Sequence, residues 1–307
     1  MKTIGEYSLL TPWQTAGSGS ARWCFGERCG QGVFIKQFLR PVYPAPGGAL
    51  HQQRLERCER FEKQKERLYA ALSCVIGDTL VPVLDFFRFE KHYYAVSEAV
   101  PQPHPTCEDA VALPRRAKRE ILYDLAQCLQ RLHMQGIVHA DLKPEHALVL
   151  EEPQGWRARL IDLDSGYLCD DPPPAENDME GDPVYLAPEA FLRMTGRRVD
   201  MTPKLDTFAF GALLHRVWTG ELPHFDHEKY AYLYEAALDG GTVGISKELP
   251  LSYRLMVLRM LEREPDKRPD DAEIVRTLYA PYREEPKDGG APVNGLSRYM
   301  RDSIGRQ

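Results

Sequence analysis

A chain of 307 residues, 43% hydrophobic and 27% charged, can bury real cores, as one large domain or as two lobes sharing a cleft. Its net charge of −6 argues against a nucleic-acid backbone as the main partner. The seven cysteines are scattered without a CxxC pair, and no uncharged apolar run is long enough to cross a bilayer. A zinc ribbon, a disulfide framework and a membrane span are thereby excluded. A soluble protein with reduced thiols, in a cytoplasm, is the expectation.

Residues 7–39 read as strands joined by turns. The segment from Ala16 to Cys24 is rich in Gly and Ser between apolar flanks. Gly17 and Gly19 let backbone N–H groups approach a phosphate with no Cβ in the way, although a plain hairpin turn accounts for the segment equally well. It matches GxGxxG at two glycines and puts Arg22 at the third. In the next strand, residues 32–38, Lys36 is the single charge and faces the same side as Phe34 and Phe38. Such a lysine ordinarily snorkels to water.

A long helix is predicted over residues 49–73, with Leu55, Cys58, Phe61, Leu68 and Leu72 at helical spacing. Advancing ~100° per residue puts Glu62 about 80° from the centre of that stripe, and Glu66 and Glu59 at about 120° and 140°. Gln64 lies as close as Glu62 but carries no charge. Strands follow at 80–87 and 92–98. Pro101, Pro103 and Pro105 then make a stiff extended connector. An amphipathic helix over 115–135 is closed by Gly136.

The next stretch places His139, Asp141, Lys143 and His146 within eight residues, too polar for a buried strand, ahead of the apolar run Ala147-Leu148-Val149-Leu150. Such a loop, pinned between regular elements, is where catalytic groups tend to be held. A strand over 157–161 runs into Asp162-Leu163-Asp164-Ser165-Gly166. Three more segments follow: Gly181 to Glu189, Lys204 to Gly211, and Leu261 to Pro269. In order, these resemble the HRDLKPxN loop, the DFG metal motif, GTPxYxAPE, DxWxxG and the closing arginine of protein kinases, with the D-x-K order of the Ser/Thr type. Over about residues 5–281 the chain is identified as a member of the eukaryotic-like (Hanks-type) Ser/Thr protein kinases, a divergent bacterial one.

The resemblance implies an α+β bilobal fold. A small β-rich N-lobe with one main helix covers 1–98, a hinge 99–105, and a larger, mainly helical C-lobe 106–281. Residues 282–307 read as a tail or a link to a further domain or partner. It also implies ATP with Mg²⁺ (or Mn²⁺) in the cleft and a protein substrate, with no nucleic acid and no membrane segment. Gly17 and Gly19 would cover the phosphates, and Lys36 would hold the α- and β-phosphates, paired with Glu62 or, second, Glu66. Backbone groups near Glu98 and Val100 would meet the adenine edge, with Leu148 also lining the nucleotide site. Ser97 would be a small gatekeeper, and Phe34 would narrow the pocket over the adenine. Asp141 would accept the proton of the attacking hydroxyl, Lys143 would neutralise the γ-phosphoryl, His139 would brace the loop and Asp162 would bind metal. Asp206 would tie to the catalytic-loop backbone, and Arg268 would pair with Glu189.

Four departures matter. His146 stands where the family has a metal-binding asparagine, and Mg²⁺ prefers oxygen donors. Asp164 replaces the DFG glycine and is expected to reach the metal in its stead. Ala140 replaces the arginine that docks a phosphorylated activation loop. That loop, 165–186, carries one Ser and no Thr, and is acidic at Asp170, Asp171, Glu176, Asp178, Glu180 and Asp182. Activation without loop phosphorylation is therefore expected, with Asp182 reaching Lys143. An active kinase is preferred over a pseudokinase scaffold, which Phe34, Arg22 and His146 favour. A small-molecule phosphotransferase ranks third, because Glu189 and Arg268 count against it.

Overall fold

Period-two alternation in the first hundred residues is realised as one antiparallel sheet. In the computed structural model, residues 2–15, 19–48, 50–75, 77–100, 105–173 and 181–280 are described. Among them the sheet contains β1 (Thr3–Ile4), β2 (Tyr7–Leu9), β3 (Gln14–Thr15), β4 (Ala21–Arg28) and β5 (Gln31–Phe38). Beyond the helix α1 (His51–Leu72) it adds β6 (Val83–Phe89) and β7 (His92–Glu98). The strand order is β1-β2-β4-β5-β7-β6, with β3 also pairing β4. Cys29 and Gly30 join β4 to β5 at φ 53° and 78°, the two-residue turn whose twist matches the strands.

Alternation gives the sheet two distinct faces. Cys24, Val33, Ile35, Tyr94 and Val96 pack with Ile4 and Tyr7 on one of them. The other sends Trp23, Phe25, Phe34 and Lys36 into a cleft, and Phe38 and Tyr93 against α1. There Phe61 of α1 meets Phe38 and Tyr93 at ring-centroid distances of 5.2 Å each. Arg22 lies on the face away from the cleft, bonded to Gln37 and stacked over Trp13. The residue expected to intrude at the third glycine position is therefore outside the pocket.

The rest of the described chain is mainly helical. It comprises α2 (Arg115–Met134), the short strands β8 (Ile137–Val138), β9 (Ala147–Glu152), β10 (Gly155–Leu160) and β11 (Tyr167–Leu168), and then five helices. These are α3 (Pro188–Met194), α4 (Lys204–Thr219), α5 (Leu233–Asp239), α6 (Leu251–Met260) and α7 (Asp271–Tyr279). Helix α4 is buried on nearly every face, as its near-continuous apolar run requires. At Gly211 a Cβ would stand 2.9 Å from Met260 Cβ, so glycine allows α4 to approach α6 closely. No described helix is long and apolar enough to cross a membrane.

Two small antiparallel pairings position the chemistry. β8 pairs with β11, and β9 with β10. The loop between β8 and β9 carries residues 139–146, and the loop between β10 and β11 carries residues 161–166. The two pairings set these loops side by side, and Ile161 N donates to His146 O at 2.8 Å.

Candidate active site

The loops open onto a cleft of about 920 Å³ lined above by Trp23, Phe34 and Lys36 and below by Leu148. Trp23 and Phe34 stack at 5.4 Å, with Phe25 edge-on, giving the cleft an aromatic roof. Val100, Leu148 and Val81 form a buried apolar cluster opposite it. A flat aromatic base fits between such surfaces. Ser97 and Glu98 also line the cleft, and the Glu98 side chain is held by Arg159 at 3.3 Å. Gly19 lies instead in a neighbouring groove with Phe61 and Lys65. Gly17, hinge residues 101–104, residues 282–307 and the acidic Glu176, Asp178 and Glu180 lie outside the described residues.

The catalytic loop hangs from one buried carboxylate. Asp206 of α4 accepts from the backbone N–H groups of His139 (2.7 Å) and Ala140 (2.9 Å), and its third partner is His133 Nε2 at 3.0 Å. This capture holds Ala140 at φ 66°, a left-handed conformation costing a non-glycine residue about 1–3 kcal/mol. Burial opposes the Asp206 charge, and the His133 hydrogen bond and charge outweigh it, so the carboxyl titrates below its usual range. Burial likewise opposes the His133 charge, yet Asp206 and Asp271 raise its pKa to about 9.

His139 is fully buried, and burial lowers its pKa, so the ring is neutral. Its Nε2 donates to Ile161 O (3.1 Å), while Nδ1 accepts from Asp141 N (3.3 Å), so the ring spans the catalytic and metal loops. Asp141 receives Asp182 N at 3.0 Å on one carboxylate oxygen and Lys143 Nζ at 3.1 Å on the other. The contact expected between Asp182 and Lys143 is not the one formed. Asp182 Oδ1 instead accepts from Val184 N at 2.9 Å, closing its own turn. His146 Nδ1 donates to Asp141 O at 2.8 Å, which leaves Nε2 facing Asp162 Oδ2 at 3.4 Å.

Lys36 reaches across the cleft to Asp162 at 2.8 and 2.9 Å, and to Asp164 Oδ2 at 2.6 Å. Burial works against its charge, but Asp164 and Asp162 outweigh that and hold the ammonium above the ordinary lysine range. Burial also opposes the Asp162 carboxylate, and the Lys36 ammonium reverses the balance, lowering its pKa.

The expected pairing of Lys36 with Glu62 does not occur. Glu62 accepts from Tyr93 OH at 3.2 Å, and Glu59 and Glu66 are exposed. Position 65 explains the difference: the buried member of α1 that faces the metal loop is Lys65, which donates to Asp164 O. A legible signal existed. Cys58, Phe61, Lys65, Leu68 and Leu72 recur at alternating steps of three and four, and Lys65 is the one charge in that stripe. The carboxylate of Asp164, expected on a metal, pairs with Lys36, as that of Asp162 does.

Elsewhere, Arg268 holds Glu189 through two hydrogen bonds of 2.6 and 2.8 Å, with both side chains almost fully buried. Its remaining donors reach the carbonyls of Glu262, Lys204 and Arg263.

The protein kinase domain family matches residues 53–280, about three quarters of the chain. The chain belongs to the protein kinase family, as a Hanks-type Ser/Thr member. The Ser/Thr-protein kinase pkn2 of Myxococcus xanthus is 29% identical over 95% of this chain and 36% of its own length. The Ser/Thr-protein kinase ULK3 of Mus musculus is 31% identical over 51% of this chain and 32% of its own length. The CBL-interacting protein kinase 16 of Oryza sativa subsp. japonica is 26% identical over 83% and 56%. This kinase domain thus spans roughly a third of the first two proteins and just over half of the third.

Proposed function

We propose that this chain is an ATP-dependent protein kinase that transfers the γ-phosphoryl group to Ser or Thr hydroxyls of a protein. The observation that carries this reading is the convergence of Lys36, Asp141, Lys143 and Asp162 on one cleft with an aromatic roof. The substrate hydroxyl oxygen would bond to the γ-phosphorus as the bond to the β–γ bridging oxygen breaks, releasing ADP. Asp141 would take the hydroxyl proton. Asp182 N and Lys143 fix its two oxygens, so the accepting lone pair is aimed before substrate arrives. Lys143 would stay beside the transferring group, Lys36 would meet the α- and β-phosphates, and Val100 and Leu148 would bracket the base, with backbone near Glu98 on its edge. Gly17 and Gly19 remain the proposed phosphate loop.

A divalent cation bound with the nucleotide would neutralise charge on its phosphates. Asp162, kept ionised, and the lone pair of His146 Nε2 face each other at 3.4 Å and suit such an ion. The imidazole favours Mn²⁺ over Mg²⁺ relative to an amide oxygen.

Activation without loop phosphorylation is part of the reading. Ala140 offers no guanidinium to a phosphate, and Arg67 of α1 is already paired with Asp170 (2.8 Å) and Asp171 (2.9 Å). The lobe limits 1–98 and 106–281, with a hinge at 99–105, are supported by the sheet ending at Glu98 and by Cys107 packing in the helical core. A cytoplasmic setting is supported by seven unpaired cysteines.

One observation favours a nucleotide-binding pseudokinase instead: Lys36 is engaged by both Asp162 and Asp164 while His146 holds the asparagine position. Phosphate transfer from labelled ATP, beside thermal shifts with ATP plus Mg²⁺ or Mn²⁺, separates the two. Asp141→Asn is expected to lower transfer by about 100- to 10,000-fold while keeping the shift. A shift without transfer in the parent chain would select the pseudokinase.

A further inference from the structure

The strand lysine takes its counter-charge from an unexpected element. We propose that Asp164 is the positioning residue that holds Lys36 towards the nucleotide phosphates, and that Lys65 couples α1 to it, so that the charges at positions 65 and 164 act as a matched, reversed pair. The inference rests on reading the cleft as a nucleotide site and names the residues that set its lysine.

Geometry carries it. Asp164 Oδ2 is 2.6 Å from Lys36 Nζ, and the same residue's carbonyl accepts from Lys65 Nζ. Asp164 is thus bracketed by two ammonium groups, one from the strand and one from the helix. Lys65 is 7% exposed, its Nζ lying 5.8 Å from the ring centroids of both Phe38 and Phe61, so it is held in the helix–sheet core and not waving in solvent. The helix glutamates are elsewhere: Glu62 is on Tyr93, and Glu59 and Glu66 are exposed.

A carboxylate at position 65 would face the Asp164 carbonyl and carboxylate and be repelled. Without an acid at position 164, Lys36 would keep Asp162 as its carboxylate partner. The acid at 164 is therefore explained by Lys36, and Lys65 by the carbonyl of the same residue. The orientation of Lys36 follows the loop between β10 and β11 directly, and a shift of α1 reaches Lys36 through Lys65 and that loop as well as through the Phe61–Phe38 contact on β5.

A charge-reversal cycle tests this on the full chain, using Asp164→Asn, Asp164→Gly, Lys65→Glu and the double variant Asp164→Gly with Lys65→Glu. Affinity for ATP is measured by calorimetry with Mg²⁺ and again with chelator, and adenosine serves as the ligand that has no phosphates. Acylation of Lys36 by a small amine-reactive reagent, followed by mass spectrometry, reads the ion network without any nucleotide.

Each single variant is expected to weaken ATP binding by about 10-fold, the scale of one charge-assisted hydrogen bond, and to speed Lys36 acylation. Adenosine affinity should stay unchanged. The double variant is expected to recover ATP affinity to within about 3-fold of the parent, non-additivity being the mark of a coupled pair. Single variants that leave Lys36 acylation unchanged, or a double variant no better than the worse single, would overturn the inference. So would an Asp164→Asn defect seen only with metal present, which would make Asp164 a metal donor. If the parent bound no ATP but the acylation pattern held, the nucleotide reading would fail while the matched pair stood.

Discussion

Two clusters of opposite charge, one under the catalytic loop and one across the cleft, use the same side-chain chemistry and differ in their surroundings. At Glu189–Arg268 and at Asp206 the acids are almost fully buried and the polar groups on them are fixed by several partners. At Lys36 two carboxylates share one ammonium, both are about a quarter exposed, and the space beside them is open. A closed, satisfied cluster costs much to break and offers nothing to a ligand. An open one with a shared cation can exchange a partner for phosphate. The first kind builds the scaffold, and the second is where chemistry can occur.

That contrast can be broken by mutation. Glu189→Ala leaves the Arg268 guanidinium buried without its acid, and should cost about 3–5 kcal/mol of unfolding free energy in urea titrations. A loss under about 1 kcal/mol would show that the cluster is not a scaffold element.

The Asp206 cluster also makes a pH prediction. The His133 pKa is raised from 6.5 to about 9 in the folded chain. A raised histidine contributes fully below its unfolded pKa, and the contribution is lost as pH rises through the folded one. Stability should therefore fall by on the order of 2–3 kcal/mol between pH about 6.5 and 9, and His133→Gln should flatten that slope. His139 and His215, whose pKa values burial depresses, act only below this window. An unchanged slope in the variant would remove His133 from the cluster's account.

In the cleft the pattern should invert. Asp162→Asn is expected to lower phosphate transfer by about 100-fold or more, with unfolding free energy within about 1 kcal/mol of the parent. A large stability loss there would erase the distinction between the clusters. The smallest effect is expected at the surface. Arg67→Ala removes two ion pairs with exposed partners, should cost less than about 1 kcal/mol, and should cost still less at 1 M salt, as thermal melts at two ionic strengths would show.

Much of this was legible in the residues. Alternation and helical spacing located β7 at His92–Glu98, α2 at Arg115–Met134 and α1 at His51–Leu72 to within a few residues. Motif order brought Glu189 to Arg268 and Asp206 to the catalytic loop, because each motif lies in one short segment whose local geometry is self-contained. Arg22 departs from its expected place at the nucleotide. Position in a glycine motif does not say which face a strand residue occupies, and the pairing of Arg22 with Gln37 turns it away from the cleft.

Glu62 is on Tyr93 and not on Lys36 for a related reason. Helical arithmetic ranks positions by angle from an apolar stripe and treats charge as something the stripe excludes. Lys65 sits within the stripe because its ammonium finds the Asp164 carbonyl from another loop. His133 was equally silent, since Asp206 and Asp271 reach it from α4 and α7.

The sequence by itself therefore determined the family, the order of elements and the two segments whose loops meet at the cleft, since these follow from periodicity and short-range motifs. Only the tertiary structure decided which acid faces which base. A buried charge is stabilised by whatever partner the packing brings within about 3 Å, and that partner is often remote in the chain. Lys36 and Asp164 lie on different lobes and meet only because two small strand pairings set the metal loop beneath the sheet.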